Sequence, residues 1–376
     1  MSKSRTIGIN LLYMNRRFSG GSITYGINLV NELIKLDTIN NYIIYVNKDC
    51  KDLPILTSPN FKVKVIPFYN KVVYVRYFWE QILFPFYLLK DNLDVLHSLG
   101  YVGPVFCPTK HVVSILDLNY KRHSESMSFS KKILLGSMVK LMSIFSNKII
   151  TISEFSKNEI AEGLKVKENK ITVTHLSGSN DNHKNESTLD IKPLYNIQSD
   201  YIIAFGSPSS HKNIIGLISA FSNVSKKYND IILLLVGHQH NNNELQDYIV
   251  SLNLKGKVQF TGFVPDEHIF PLISASKLFV FPSFYEGFGI PLLDAQSART
   301  PVACSNAASL PEVGRDGALY FNPYDTVEME SVMMKILQDD LLRENLIKKG
   351  SINRSGFSWK ITAEKTLECY NLNNLF

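Results

Sequence analysis

The sequence is short of several things, and each shortage removes a class of protein. Cysteine occurs four times, as Cys50, Cys107, Cys304 and Cys369, with no C-x-x-C pair and no His/Cys cluster at ligand spacing. Neither a disulfide framework nor a structural zinc site is expected, and the four read as small buried apolar residues. No apolar run approaches the about 18 residues needed to cross a bilayer; the densest, Ile82 to Leu89, is interrupted by Pro85. The opening MSKSRTIGINLLYM lacks the apolar core and small-residue cleavage site of a secretory leader, so a soluble, cytoplasmic protein is expected. A G-x-G-x-x-G fingerprint is also missing, which disfavours nicotinamide chemistry.

What is present is an ordinary globular balance, 45% hydrophobic and 20% charged, in 376 residues. That length suggests two domains. The net charge of +6 is unevenly spread, with 25 Lys+Arg against 17 Asp+Glu in residues 1–200. No RNP-like strand, zinc finger or basic helix accompanies this excess, so nucleic acid is not expected as a partner. An anionic membrane surface or a phosphorylated acceptor fits the basic half at least as well.

Short β-branched runs alternate with helix-patterned stretches, the signature of βαβ units and parallel sheets. In the first half TIGINLLY, NYIIYVN, FKVKVIPF, DVLHSL, HVVSILD and NKIITIS read as strands, and ITYGINLVNELIKL and SFSKKILLGSMVKLMSIF as helices. Ser153 reads as an N-cap. A polar segment, Leu176 to Asp200, interrupts the pattern, which then restarts at YIIAFGS. The expectation is an α/β protein with two Rossmann-like domains facing each other. The first covers 1–190, the second 200–355, and a terminal helical segment, 356–376, packs Trp359 back on a domain surface.

Three places have the makings of a site. Gly20 and Gly21 follow the first strand and open the first helix, where backbone amides can approach a phosphate or sugar; a plain strand-to-helix turn explains them equally well. IIAFGSPSSHKN, Ile202 to Asn213, ends a strand and enters a helix, placing His211 and Lys212 at its positive end, where a diphosphate would be held. FPSFYEGFGIPLLDA, Phe281 to Ala295, sets Glu286 beyond a strand, leaves Gly287 and Gly289 for close ligand approach, and puts Asp294 eight residues on, about two helical turns, on a similar face.

With VQFTGFVPDEHIFPLISASKLFVFPSFYEGFGIPLLDAQSARTPVACSNAASLPEV, HKN before it, GGSITYGINLVNEL near the start and FSWKITAEKTLECY at the end, nearly the whole chain resembles the GT-B glycosyltransferases of family 4. The resemblance implies a nucleotide-sugar donor on the second domain, an acceptor on the first, and retention of anomeric configuration. It makes Glu286 the first acid of an E-x7-E signature, Lys212 the group that neutralises the leaving diphosphate, and Phe288, Gly289 and Ile290 a source of backbone amides. Glu312 is a weaker candidate. Four positions depart from the family's habit. Asp294 replaces the second acid, Leu116 stands where a histidine often precedes the aspartate seen here as Asp117, Ser207 stands where an arginine is common, and His211 takes another arginine's place. No Asp-x-Asp occurs, so no metal or other cofactor is expected.

The acceptor side is less explicit. Asn70 to Lys90 mixes aromatics with Lys71, Arg76 and Lys90, and is either a surface for a membrane that holds a lipid-linked acceptor or a buried helix between two strands. His97 is either an acceptor contact or a satisfied core histidine. The resulting expectation is a hexosyltransferase using a mannose-, rhamnose- or glucose-type donor on a polysaccharide or lipid-linked glycan. A non-catalytic sugar-nucleotide-binding subunit, or an epimerase or phosphorylase on the same scaffold, are the alternatives.

Overall fold

Runs of Ile, Val and Leu become the strands of two separate parallel sheets in the computed structural model, which describes residues 4–15, 20–122, 128–178, 189–207, 209–237 and 243–371. The chain forms two compact units, Met1–Leu176 with Ser358–Phe376, and Ser177–Phe357.

The first unit's sheet contains β1 (Thr6–Asn10), β2 (Asn41–Asn47), β3 (Phe61–Ile66), β4 (Val95–Ser98), β5 (Lys110–Ser114), β6 (Lys148–Thr151) and β7 (Ile171–Val173), in the order β3-β2-β1-β4-β5-β6-β7. Its helices are α1 (Gly21–Leu36), α2 (Val73–Phe78), α3 (Phe84–Asp91), α4 (Asn119–Arg122), α5 (Phe129–Phe145) and α6 (Glu154–Leu164). Sheets covered on both faces take near-continuous apolar strands, and β4 is buried at every position. Ser153 does cap α6, its hydroxyl accepting from Ser156 N. β7 is Ile-Thr-Val, three residues, too short for its alternation to mark a strand.

The second unit holds β8 (Asp200–Phe205), β9 (Ile231–Val236), β10 (Val258–Phe260), β11 (Leu278–Phe281), β12 (Val302–Ser305) and β13 (Leu319–Phe321), ordered β10-β9-β8-β11-β12-β13. Helices α7 (Ile214–Lys227), α8 (Asn243–Ser251), α9 (Asp266–Ser274), α10 (Ile290–Ser297), α11 (Leu310–Gly314), α12 (Thr326–Gln338) and α13 (Asp340–Ser355) connect and cover these strands. The core lies where β8, β9 and β11 meet α7 and α12, around Phe221, Leu233, Val280 and Met333. The last helix, α14 (Trp359–Tyr370), belongs to the first unit and packs on α1. Its Trp359 is buried.

His97 is the core histidine rather than the acceptor contact. It has no exposed surface; Nδ1 lies 2.8 Å from the Tyr370 hydroxyl and Nε2 2.8 Å from Ser114 Oγ. Ser114 Oγ in turn lies 2.8 Å from the Tyr25 hydroxyl on α1. One buried chain of polar groups thus ties both α1 and α14 to β4 and β5. Burial, with His111 nearby, pushes His97 down to about 3, and burial alone pushes His111 down to about 4. Of the cysteines, Cys50, Cys304 and Cys369 are buried as expected, while Cys107 is only half-buried.

Candidate functional site

Each sheet reverses its winding once, and ligands of open α/β sheets bind beyond the carboxyl ends of the strands at such a reversal. In the second unit the reversal falls between β8 and β11. β8 runs out toward Lys212 and β11 toward Glu286, which is where the sequence placed its strongest candidates.

The two meet. Lys212 Nζ lies 2.6 Å from Glu286 Oε1, and Ser283 Oγ donates to the same oxygen at 2.7 Å. The side chains are 25% and 14% exposed, so the pair is held by protein but open on one side. Backbone bonds fix the two loops together, with Phe284 N donating to His211 O at 2.8 Å. Asn213 acts as a buried bolt, its Nδ2 donating to Pro282 O at 3.2 Å and Pro323 O at 2.7 Å. Its φ of 53° also ends the tight turn Ser210–Lys212 and starts α7 at Ile214. Lys212 therefore sits in a turn before the helix, not in the first helical turn expected from the pattern.

Behind Glu286 the backbone is shaped for close approach. Gly289 has φ 105°, a conformation that L side chains rarely adopt. A Cβ there would lie 2.8 Å from Leu310 Cδ2. Ser309 Oγ donates to the carbonyls of Glu286 and Phe288 at 2.9 and 3.0 Å, pinning the loop from below. α10 then begins at Ile290 with no side-chain cap and no acid in its first turn, so its positive end stays available to an anion. Gly287 is buried, and Phe288 is buried with its ring 5.9 Å from Phe357, so the side chain serves packing.

The separation of Glu286 from Asp294 differs from the helical estimate. Three of the eight residues after Glu286 are loop, so Asp294 lies only one turn into α10, half-buried, with Oδ1 close against Gly178. Ser207 is half-buried and accepts from Ser209 N at 3.3 Å. Glu312 occupies the short α11. Asn213 and Ser309 were missed because the signal for each is a bond across the fold, and Ser283 because a serine three residues before an acid is too common a spacing to mark a site.

In the first unit the reversal lies between β1 and β4. Gly20 and Gly21 are exposed, and among the described residues nothing stands within 4 Å of a Cβ built on either. Asp117, past the end of β5, is half-buried; its Oδ1 accepts from the Tyr101 hydroxyl at 2.9 Å and from Asn119 N at 3.1 Å. Tyr101 has φ 64°, a left-handed backbone that is uncommon for a non-glycine. Leu116 is buried at 4% exposure and supplies core.

These features match a known group. The family described as "Glycosyl transferases group 1" matches residues 189–352, the stretch that carries Lys212, Glu286 and Asp294. O-antigen chain mannosyltransferase B of Escherichia coli is 33% identical over 298 residues, 76% of this chain and 76% of its own length. The chain belongs to the group 1 glycosyl transferases. Two solved structures share the fold of this glycosyltransferase. HepE of Anabaena, in complex with UDP-glucose, is 17% identical with a TM-score of 0.72 over 97% of this chain and 99% of that one. WaaG, a glycosyltransferase involved in lipopolysaccharide biosynthesis, is 15% identical with a TM-score of 0.73 over the same shares. The fold class is GT-B, two Rossmann-like α/β domains.

Proposed function

We propose that this glycosyltransferase moves a hexose of mannose type from a nucleoside-diphosphate sugar to a growing, lipid-linked polysaccharide at the inner face of a membrane. It does so with retention of anomeric configuration and without a metal. The observation that carries the donor side is the Lys212–Glu286 pair at the β8/β11 reversal, flanked by the uncapped start of α10. The mannose-type sugar and the polysaccharide acceptor are supported by the Escherichia coli relative, and the nucleotide-sugar donor by what HepE holds.

When the bond between the anomeric carbon and the diphosphate breaks, negative charge gathers on the leaving phosphate while the sugar becomes oxocarbenium-like. Lys212 and the positive end of α10 stabilise that charge, the kind of preorganised donor worth about 3–4 kcal/mol in other enzymes. Glu286 binds donor-sugar hydroxyls and, through Lys212, fixes the ammonium in place before substrate arrives. Asp294 reaches toward the ribose with a side chain one methylene shorter than glutamate. The leaving phosphate accepts the acceptor hydroxyl's proton as that hydroxyl attacks from the same face, and Asp117 orients the acceptor.

Purified protein is screened for thermal stabilisation and nucleotide release with UDP-, GDP-, dTDP- and ADP-sugars, beside Glu286→Ala. Stabilisation by one nucleotide class, with slow release that Glu286→Ala removes, is expected. Binding with no release even after acceptors are added would replace the transferase by a binding subunit. Activity in EDTA is expected to equal that without it; restoration by manganese of activity lost to EDTA would overturn metal independence, and a product of inverted anomeric configuration would overturn retention.

A further inference from the structure

One face of the first unit is apolar, exposed and cationic at once. The crossover from β3 to β4 is one helical run, α2 and α3 joined through a π-helical turn at Trp79–Leu83. Its inner side is committed to the core through Tyr77, Phe84 and Leu88. Its outer side presents Val75, Phe78, Ile82, Phe86 and Leu89 at intervals of three and four residues, each 40–67% exposed. A helix facing water is normally polar on that side. The buried-helix alternative for this segment therefore describes only half of it.

α5 continues the face. Its Phe129, Ile133, Ile144 and Phe145 are exposed, and its Leu134 and Met138 pack in the same cluster as Val73 and Tyr77 of α2. The Tyr74 and Ser130 hydroxyls stand 3.5 Å apart across the two helices. Gln81 holds the intervening loop, donating to Gly103 O at 2.8 Å and accepting from Val105 N at 2.9 Å. That loop presents Phe106, 80% exposed, with its ring 6.2 Å from Phe145. Contiguous exposed apolar surface of this kind marks an interaction site.

Charge selects the partner. Residues 70–90 and 128–148 contain seven Lys and Arg against one acid, Glu80. Glu80 is buried and paired with Arg76, itself only 13% exposed, so these two charges cancel and six lysines remain. At the end of α5 a hollow of about 540 Å³ is lined by Lys110, Lys165, Lys167 and Lys170 and by no acid. A second copy of this chain would set the same cations against each other. We propose that this face docks on an anionic lipid bilayer, with the aromatic and aliphatic side chains entering the headgroup boundary and the lysines meeting lipid phosphates. The inference deepens the reading of a lipid-linked acceptor and rests on it for its purpose, but not for its test.

The test is sedimentation with vesicles of phosphatidylcholine alone and of phosphatidylcholine mixed with phosphatidylglycerol. Binding is expected only to the mixed vesicles and is expected to weaken as salt shortens the screening length. The variant Phe78→Ser/Ile82→Ser/Phe86→Ser, and separately Lys131→Glu/Lys132→Glu, should each lower partitioning at least tenfold; each lysine near such a surface accounts for about fivefold. Both should keep wild-type thermal unfolding and wild-type nucleotide release without vesicles. Wild-type protein that stays in the supernatant with anionic vesicles at low salt overturns the proposal, as does undiminished binding by both variants. A wild-type dimer that the triple variant dissolves, with no vesicle binding, assigns the face to a second copy instead. Vesicle binding without any nucleotide release would leave this surface standing and remove the transferase reading.

Discussion

The two sheets reach their winding reversals with different materials. At the β8/β11 reversal, charged groups meet each other: Lys212, Glu286 and Ser283 form one cluster on two loops bolted by Asn213. At the β1/β4 reversal the polar groups turn inward. Asn10 donates to buried Glu80 and Ser98, and neighbouring His97 is consumed by Tyr370 and Ser114. Among the described residues here, half-buried Asp117 and the exposed Gly20 and Gly21 keep accessible surface. On the proposed function, the charged cluster of the second unit is the donor's diphosphate site and the first unit meets the acceptor. The difference teaches that partly exposed charge is gathered at one reversal and buried polar tethering at the other.

Removing the charge from the second unit should therefore hurt most. Lys212→Ala is expected to lower kcat by about 10²–10³, the cost of one preorganised donor to a developing oxyanion. Nucleotide-release kinetics check it, and near-normal turnover would break the assignment. On the tethering side, the largest effect is on stability against pH. His97 and His111 are held neutral in the folded state, at about 3 and about 4, while the unfolded chain takes up their protons near the ordinary value of 6.5. A depressed histidine favours folding above that value, so stability is lost as pH falls from about 6.5 toward about 4, by about 1.4 kcal/mol per pH unit for each. Denaturant midpoints measured over this window should fall, and His97→Gln/His111→Gln should flatten the slope. An equal slope in the double variant would show that the loss comes from other groups.

The same contrast explains what the sequence could disclose. β-branched runs, Glu286 after an apolar strand, and Lys212 after another are local patterns, so both sheets and both members of the charged pair were readable along the chain. That the two side chains touch, 74 residues apart, is a consequence of the β8/β11 adjacency, which periodicity does not specify. Gly289 was legible as a close-approach glycine, though its reason lies in Leu310, which contacts it from a later helix. Gly289→Ala is expected to destabilise the protein by about 2–3 kcal/mol, from the positive φ together with overpacking. A thermal-unfolding midpoint unchanged from wild type would show that the loop yields more easily than its packing indicates. His97 was ambiguous for the opposite reason: a histidine ending a strand looks alike whether it faces a ligand or the hydroxyl of Tyr370, 273 residues later.

The smallest effect tests the open side of the comparison. Tyr101 keeps a left-handed backbone, a conformation that costs free energy and persists only where the surroundings enforce it. Its amide donates to Ser114 O at 3.0 Å and its hydroxyl to Asp117 at 2.9 Å. The strained residue thus links β5's end to the carboxylate of Asp117. Tyr101→Phe removes the hydroxyl and leaves the ring, so Asp117 loses an orienting bond worth about 1 kcal/mol. About a fivefold rise in the acceptor KM is expected, with donor binding and acceptor-free nucleotide release unchanged. If donor binding moved instead, the division of labour between the two reversals would be wrong, because a bond wholly inside the first unit would then be governing the chemistry assigned to the second.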